Sequence, residues 1–135
     1  MEKIMNFCKF LFAFAGWPLS CVFGCFDSLI YALIVFVVLD YVTGVLLAIH
    51  EKEVSSQIGF QGICQKAMIF VLVAVGYVID QYVIGTGSSL RTMLILFYLS
   101  NEGISILENA GEMGLPLPQK LRDVIQQLNK KINIK

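Results

Sequence analysis

The sequence is short of the residues that most chemistry needs. One histidine, His50, occurs among 135 residues, and only 15% of the side chains are charged. With His50 remote from every cysteine, no metal-binding set forms. No nucleophile, base and orienting group stand together at a recognisable spacing, and HExxH, GxSxG and a phosphate-binding loop are all absent. The expectation is therefore no enzyme, no cofactor and no metal. Ten Lys and Arg balance ten Asp and Glu, which argues against nucleic acid as a partner. Scarce charge also argues against a soluble globular surface, because 57% of the residues are hydrophobic, a membrane protein's proportion.

The four cysteines, Cys8, Cys21, Cys25 and Cys64, read as small apolar residues of membrane helices. Cys21 and Cys25 share a helix face if a helix extends that far, but nothing completes a site around them.

What is present in quantity is long apolar runs. Ser28 to Ile49 spans about 33 Å as a helix at 1.5 Å per residue, enough for a hydrocarbon core of roughly 30 Å. Its one acid, Asp40, shares a face with Thr43, Gly44 and Ala48, so the charge coincides with a seam of small residues that lets another helix approach. Ala67 to Ile84 predicts a second, shorter crossing with Gly76 and Asp80 on one face. Asp80 lies near its end, where an acid reaches headgroups or water at lower cost. The polar stretch 50–66 between them reads as a loop leading to a serine-capped helix start, with His50 a solvated interfacial residue. After the turn at 85–89, with a serine cap, a third crossing runs from about Leu90 to Met113. Gly111 and Gly114 close it, and Pro116 and Pro118 stiffen the turn that follows.

The third crossing is the anomaly. Tyr98, Asn101, Ser105, Glu108 and Glu112 recur every three or four residues, with Glu102 beside them and Asn109 following Glu108. A carboxylate near the bilayer centre costs about 2.5 to 3.5 kcal/mol on insertion scales, so this stripe must face other helices or water.

Residues 4–26 are apolar but interrupted by Lys9, Gly16 and the Trp17-Pro18 pair, which predicts a bend. They form an interfacial helix or an imperfect extra crossing; Lys9 speaks against a cleaved signal peptide. At the other end Leu121, Val124, Ile125, Leu128 and Ile132 form one helical face flanked by lysines and an arginine, a basic amphipathic helix suited to a membrane surface or a partner helix. Positive residues gather in the 50–66 stretch and the tail, whereas the 85–91 turn carries only Arg91, which predicts a cytoplasmic C-terminus.

The expected fold is thus an all-α membrane protein. It comprises an N-terminal membrane-associated segment (1–26), a domain of three transmembrane helices (27–114) and a C-terminal amphipathic cytoplasmic helix (115–135). Three acid-bearing crossings suit a small ion or proton channel or transporter, or an assembly that hides its polar faces between copies or lines water with them. No inverted repeat or broken-helix pair favours the transporter.

Four stretches carry a resemblance: LDYVTGVLLAI (39–49), VSSQIGFQGICQKAMIF (54–70), IDQYVIGTGSSLRTMLILFYLSNEGISILENA (79–110) and GLPLPQKLRDVIQQL (114–128). The chain resembles the phage-lysis and toxin-secretion holins of Gram-positive bacteria and their phages, over nearly its whole length. The resemblance implies a protein of the bacterial cytoplasmic membrane that homo-oligomerises within the lipid bilayer. It implies timed lesions through which an endolysin or a toxin leaves. The family signature falls on Asp40, Gly44, Ser55, Ser56, Gly59, Gly62, Lys66, Asp80, Asn101, Glu102, Ser105, Glu108, Asn109 and Pro116. Gln65 stands where such proteins often carry a second lysine. Asp40, Gly44, Asp80, Asn101, Glu102, Ser105, Glu108 and Asn109 are the residues expected at the lesion or between copies.

Overall fold

A computed structural model describes residues 1–24, 27–124 and 127, with the backbone alone at 15–22. Four α-helices follow one another: α1 (Glu2–Phe23), α2 (Ser28–His50), α3 (Ser56–Val78) and α4 (Ser89–Glu112). A π-helical turn, Ile79–Ile84, prolongs α3, and residues 119–124 are helical again. Among the described residues there is no strand. Cys25, and the part of the amphipathic tail that holds Ile125, Leu128, Lys130, Lys131 and Ile132, lie outside the described residues.

Three helices are long and apolar enough to cross a membrane: Ser28–His50, Ser56–Ile84 and Ser89–Glu112. The first and third agree with the sequence expectation to within a residue or two. The second begins eleven residues earlier than its apolar run, so most of the stretch expected as a loop is helix. Only Glu51 to Ser55 connect α2 to α3. Hydropathy puts the boundary after Lys66 because a lysine inside a span is costly, and the contacts of that lysine, described below, offset the cost.

The helix starts follow from local chemistry. Asp27 caps α2 by accepting from the Ile30 amide at 3.1 Å, and Ser55 caps α3 by accepting from Ile58 at 3.5 Å, each satisfying one orphan amide of a first turn. The serine cap expected for α4 is not formed: Ser88 makes no capping bond. The Asp80 carboxylate does that work from the preceding helix, accepting from the amides of Leu90 at 3.2 Å and Arg91 at 2.9 Å. Asp80 is consequently fully buried, which corrects the expectation of an acid reaching toward water. The π-turn ends at Gly85, whose φ of +82° turns its amide back to the Asp80 carbonyl, a conformation glycine adopts without steric cost.

α2 and α4 pack most extensively, α3 packs mainly on α4, and α1 packs chiefly on α3. Ile30, Leu33 and Val37 of α2, Ile69 and Val73 of α3, and Ile95 of α4 form the core. Gly76 is where α3 and α4 approach closely. A Cβ there would stand 2.6 Å from Leu94 Cδ1 and 3.4 Å from the Arg91 backbone nitrogen, so the missing side chain sets the spacing. Only 22, 22 and 17% of the most apolar windows of the three spans are buried within the chain. The rest requires lipid or another copy. α1 continues through Trp17 and Pro18, so the proline removes a donor without ending the helix. Residues 1–14 are exposed throughout, and at the other end of α1 Phe23 packs edge-on against Phe70.

Candidate functional site

Asp40, Lys66 and Glu102 lie about 18, 15 and 20 Å along α2, α3 and α4, at 1.5 Å per residue. Because the helices alternate in direction, all three reach the middle of the bundle. Lys66 Nζ donates to Glu102 Oε2 at 2.5 Å and to Asp40 Oδ2. Asn109 extends the network: its Nδ2 donates to Asp40 Oδ1 at 3.3 Å and to Thr43 Oγ1 at 3.0 Å, while the Thr43 hydroxyl donates to the Asp40 carbonyl at 3.0 Å. Asp40 and Glu102 are buried at 6% and 4% exposure.

A buried ion costs several kcal/mol to desolvate, and removing one partner of a buried pair costs about 3–5 kcal/mol, because the survivor is left uncompensated. That arithmetic explains how a lysine can occupy the interior of a membrane helix. It also exposes an imbalance: two carboxylates share one ammonium.

Cavities lie on either side of the bridge. One, of about 360 Å³, is lined by Asp40, Tyr41, Gly44, Gly59, Lys66 and Asn109, among others. The other, of about 310 Å³, lies between α3 and α4 and is bordered by Gln65, Lys66, Asn101, Glu102, Ser105 and Glu108. Asp40 lines only the first and Glu102 only the second, and Lys66 borders both. The two linings meet at Gln65, Lys66 and Ser105.

The structure thus sorts the residues expected from sequence. Asp40, Glu102 and Asn109 come together, and Gly44 faces them, since a Cβ added to it would stand 3.8 Å from Asn109 Nδ2. Ser105 borders both cavities, and Glu108 borders the groove between α3 and α4. Asn101 turns outward and is exposed, and Asp80 caps α4 away from the bridge. The stripe of α4 is therefore two faces: Glu102, Ser105 and Asn109 turn inward, and Asn101 lies on the flank.

Two side chains central to the polar clusters, Lys66 and Arg91, are not among the residues that spacing alone singles out, although the family signature includes Lys66. Lys66 falls in the stretch expected as a loop. Arg91, which enters that reading only as a charge of the turn, is 4% exposed. Its guanidinium grips Asp27, Nη1 donating at 3.0 Å and Nη2 at 3.3 Å, and its Nε donates to the Phe23 carbonyl at 2.7 Å. The hydrogen bond from Arg91 is the main cause that holds the Asp27 carboxyl below its ordinary value, burial opposing it. Charge balance is the signal that finds Lys66: spans holding Asp40 and Glu102 need a cation within reach, and Lys66 borders the second apolar run. It does not find Arg91, whose guanidinium pairs with Asp27 just outside the spans.

The family model of the bacteriophage holins matches residues 18–130. The chain belongs to the bacteriophage holin family. It is 42% identical over 135 residues, all of both chains, to an uncharacterized protein of Clostridium perfringens. It is 43% identical over 125 residues, 93% of this chain and 86% of the other, to an uncharacterized protein of Listeria monocytogenes. A protein named probable holin from Bacillus phage phi105 is 34% identical over 86 residues, 64% of this chain and 63% of its own. No solved structure matches the chain. Holin membership and three membrane spans together make this a multi-pass membrane protein with a holin-like role.

Proposed function

We propose that this holin accumulates in the bacterial cytoplasmic membrane, oligomerises, and at a set moment opens lesions through which a cell-wall endolysin or an exported toxin passes. The observation that carries the reading is the Asp40–Lys66–Glu102 bridge. While it is closed, Lys66 hydrogen-bonds both carboxylates and offsets one of their two charges, so single copies can insert and accumulate. When it opens, three charged groups need water, and the two cavities that border Lys66 are where water would enter.

Lys66 is well suited to this work. α3 packs far less on α2 than on α4, so the Lys66 to Asp40 bond is a principal tie across the α2 and α3 interface. Opening hydrates both carboxylates, and their excess negative charge favours the wet state over the dry one. With Lys66 inside α3, the asymmetry rests on Lys52 of the α2–α3 turn and on Lys120, Arg122, Lys130, Lys131 and Lys135 of the tail against Arg91, and it supports a cytoplasmic turn and tail with the Arg91 end outside. Catalysis has no part in this function.

The test is inducible expression in a bacterium together with a cytoplasmic endolysin. Growth should continue through a lag and then stop abruptly, with endolysin activity appearing outside the cytoplasmic membrane. Loss of the proton gradient with retention of every cytoplasmic protein would instead establish a small ion channel.

A further inference from the structure

Most of the outward faces of the three spans are apolar: Val38, Val42 and Val45 on α2, Val71 and Val75 on α3, and Leu96 on α4 are all exposed. The flank between α3 and α4 departs from this. Asn101 is exposed about 18 Å along α4, near mid-span, and its side chain has no hydrogen-bond partner among the described residues. Gln65 is exposed across the same groove, and Gln61 is exposed one turn before it. An amide in hydrocarbon without a partner is costly, because lipid tails neither donate nor accept.

We infer that this flank is where a second copy of the chain packs, with Asn101 and Gln65 of one copy pairing with the same residues of the other about a two-fold axis. The inference rests on the oligomeric holin reading and specifies its contact face. The occupant follows from the chemistry of the amide. It carries two donors and an acceptor, so identical amides brought together by a two-fold axis satisfy one another reciprocally. Lipid offers no such partner. The internal bridge supports the assignment: among the described residues of this groove Asp40, Lys66 and Glu102 are consumed within each chain and Glu108 also has an interaction within it, which leaves Asn101 and Gln65 as neutral amides to join copies before any lesion opens.

Disulfide cross-linking in membranes tests this. In a background with Cys8, Cys21, Cys25 and Cys64 changed to Ser, single cysteines are placed by Asn101→Cys and Gln65→Cys, and by Val38→Cys and Leu96→Cys as lipid-face controls. Oxidation should give at least tenfold more covalent dimer at 101 and 65 than at either control. Asn101→Leu combined with Gln65→Cys should reduce the 65 cross-link about fivefold, and Asn101→Gln should restore it. Equal cross-linking at the controls, or modification of Asn101→Cys by a water-soluble thiol reagent without dimer, overturns the inference; the latter result makes the flank a water-facing wall. Lysis timed in cells of the cysteine-free parent, which keeps Asn101 and Gln65, separates the two claims when set beside the cross-linking. Dimers at 101 without lysis keep the interface and remove the lesion-former, whereas lysis without dimers at 101 does the reverse.

Discussion

The molecule holds two polar clusters that look alike in composition and differ in construction. Near one end of the bundle, Arg91 grips Asp27 with two nitrogens and the Phe23 carbonyl with a third, while Asp80 caps the helix that bears Arg91. In the middle, one lysine is shared by two carboxylates. The first uses the planar fork of a guanidinium, so little freedom remains to be lost. The second is charge-unbalanced and hangs on a flexible ammonium with cavities on both sides. The difference teaches that the end cluster ties the start of α2 and the end of α1 to α4 through three directed bonds, whereas the central cluster is the one that the proposed function asks to rearrange.

The largest effect that separates them should come from Lys66→Met. It strands two carboxylates in the bundle at a cost of about 3–5 kcal/mol, and membrane-inserted protein should fall sharply in fractionation. Glu102→Gln should come next. It leaves a balanced Asp40–Lys66 pair, stabilises the closed state and should delay lysis several-fold at equal membrane levels. Arg91→Lys keeps the charge and loses the fork. It should cost about 1–3 kcal/mol, lowering the melting temperature in detergent without shifting lysis time as far as Glu102→Gln. If the two variants exchange these phenotypes, this division between the two clusters is wrong.

The smallest effect concerns pH. The folded pKa of Asp27 is depressed by Arg91, so its contribution is fully present above the unfolded value of about 3.9 and is lost as pH falls through the lower folded value. The stability gap between wild type and Asp27→Asn should therefore stay constant from pH 7 to 5 and close below pH 4. A gap that closes between pH 7 and 5 would show that Asp27 does not supply it.

Much of this was legible in the sequence. The spans of α2 and α4, the seam at Asp40 and Gly44, and the inward demand of Glu102 all follow from helical spacing and the cost of charge in lipid. The start of α3 was not legible, because hydropathy scores Lys66 by itself and its acceptability depends on acids 26 residues before it and 36 after it. The cap of α4 was hidden for the same reason: Ser88 has the right type and position, but Asp80, delivered by a π-turn, brings a stronger acceptor from outside the local window. The division of the α4 stripe into an inner and an outer face needed the positions of α2 and α3, which one helix's periodicity does not contain.

The central claim is that charge, not shape, opens the lesion. The variant Asp40→Asn, Lys66→Met, Glu102→Gln removes every charge of the bridge while keeping side chains of similar size. Lysis time and membrane level of this triple variant, measured beside Lys66→Met, test the claim most directly. Insertion and assembly should return to wild-type levels, because no bare carboxylate remains, and lysis should not occur. Wild-type lysis timing, or failure of the neutral variant to insert, would contradict it.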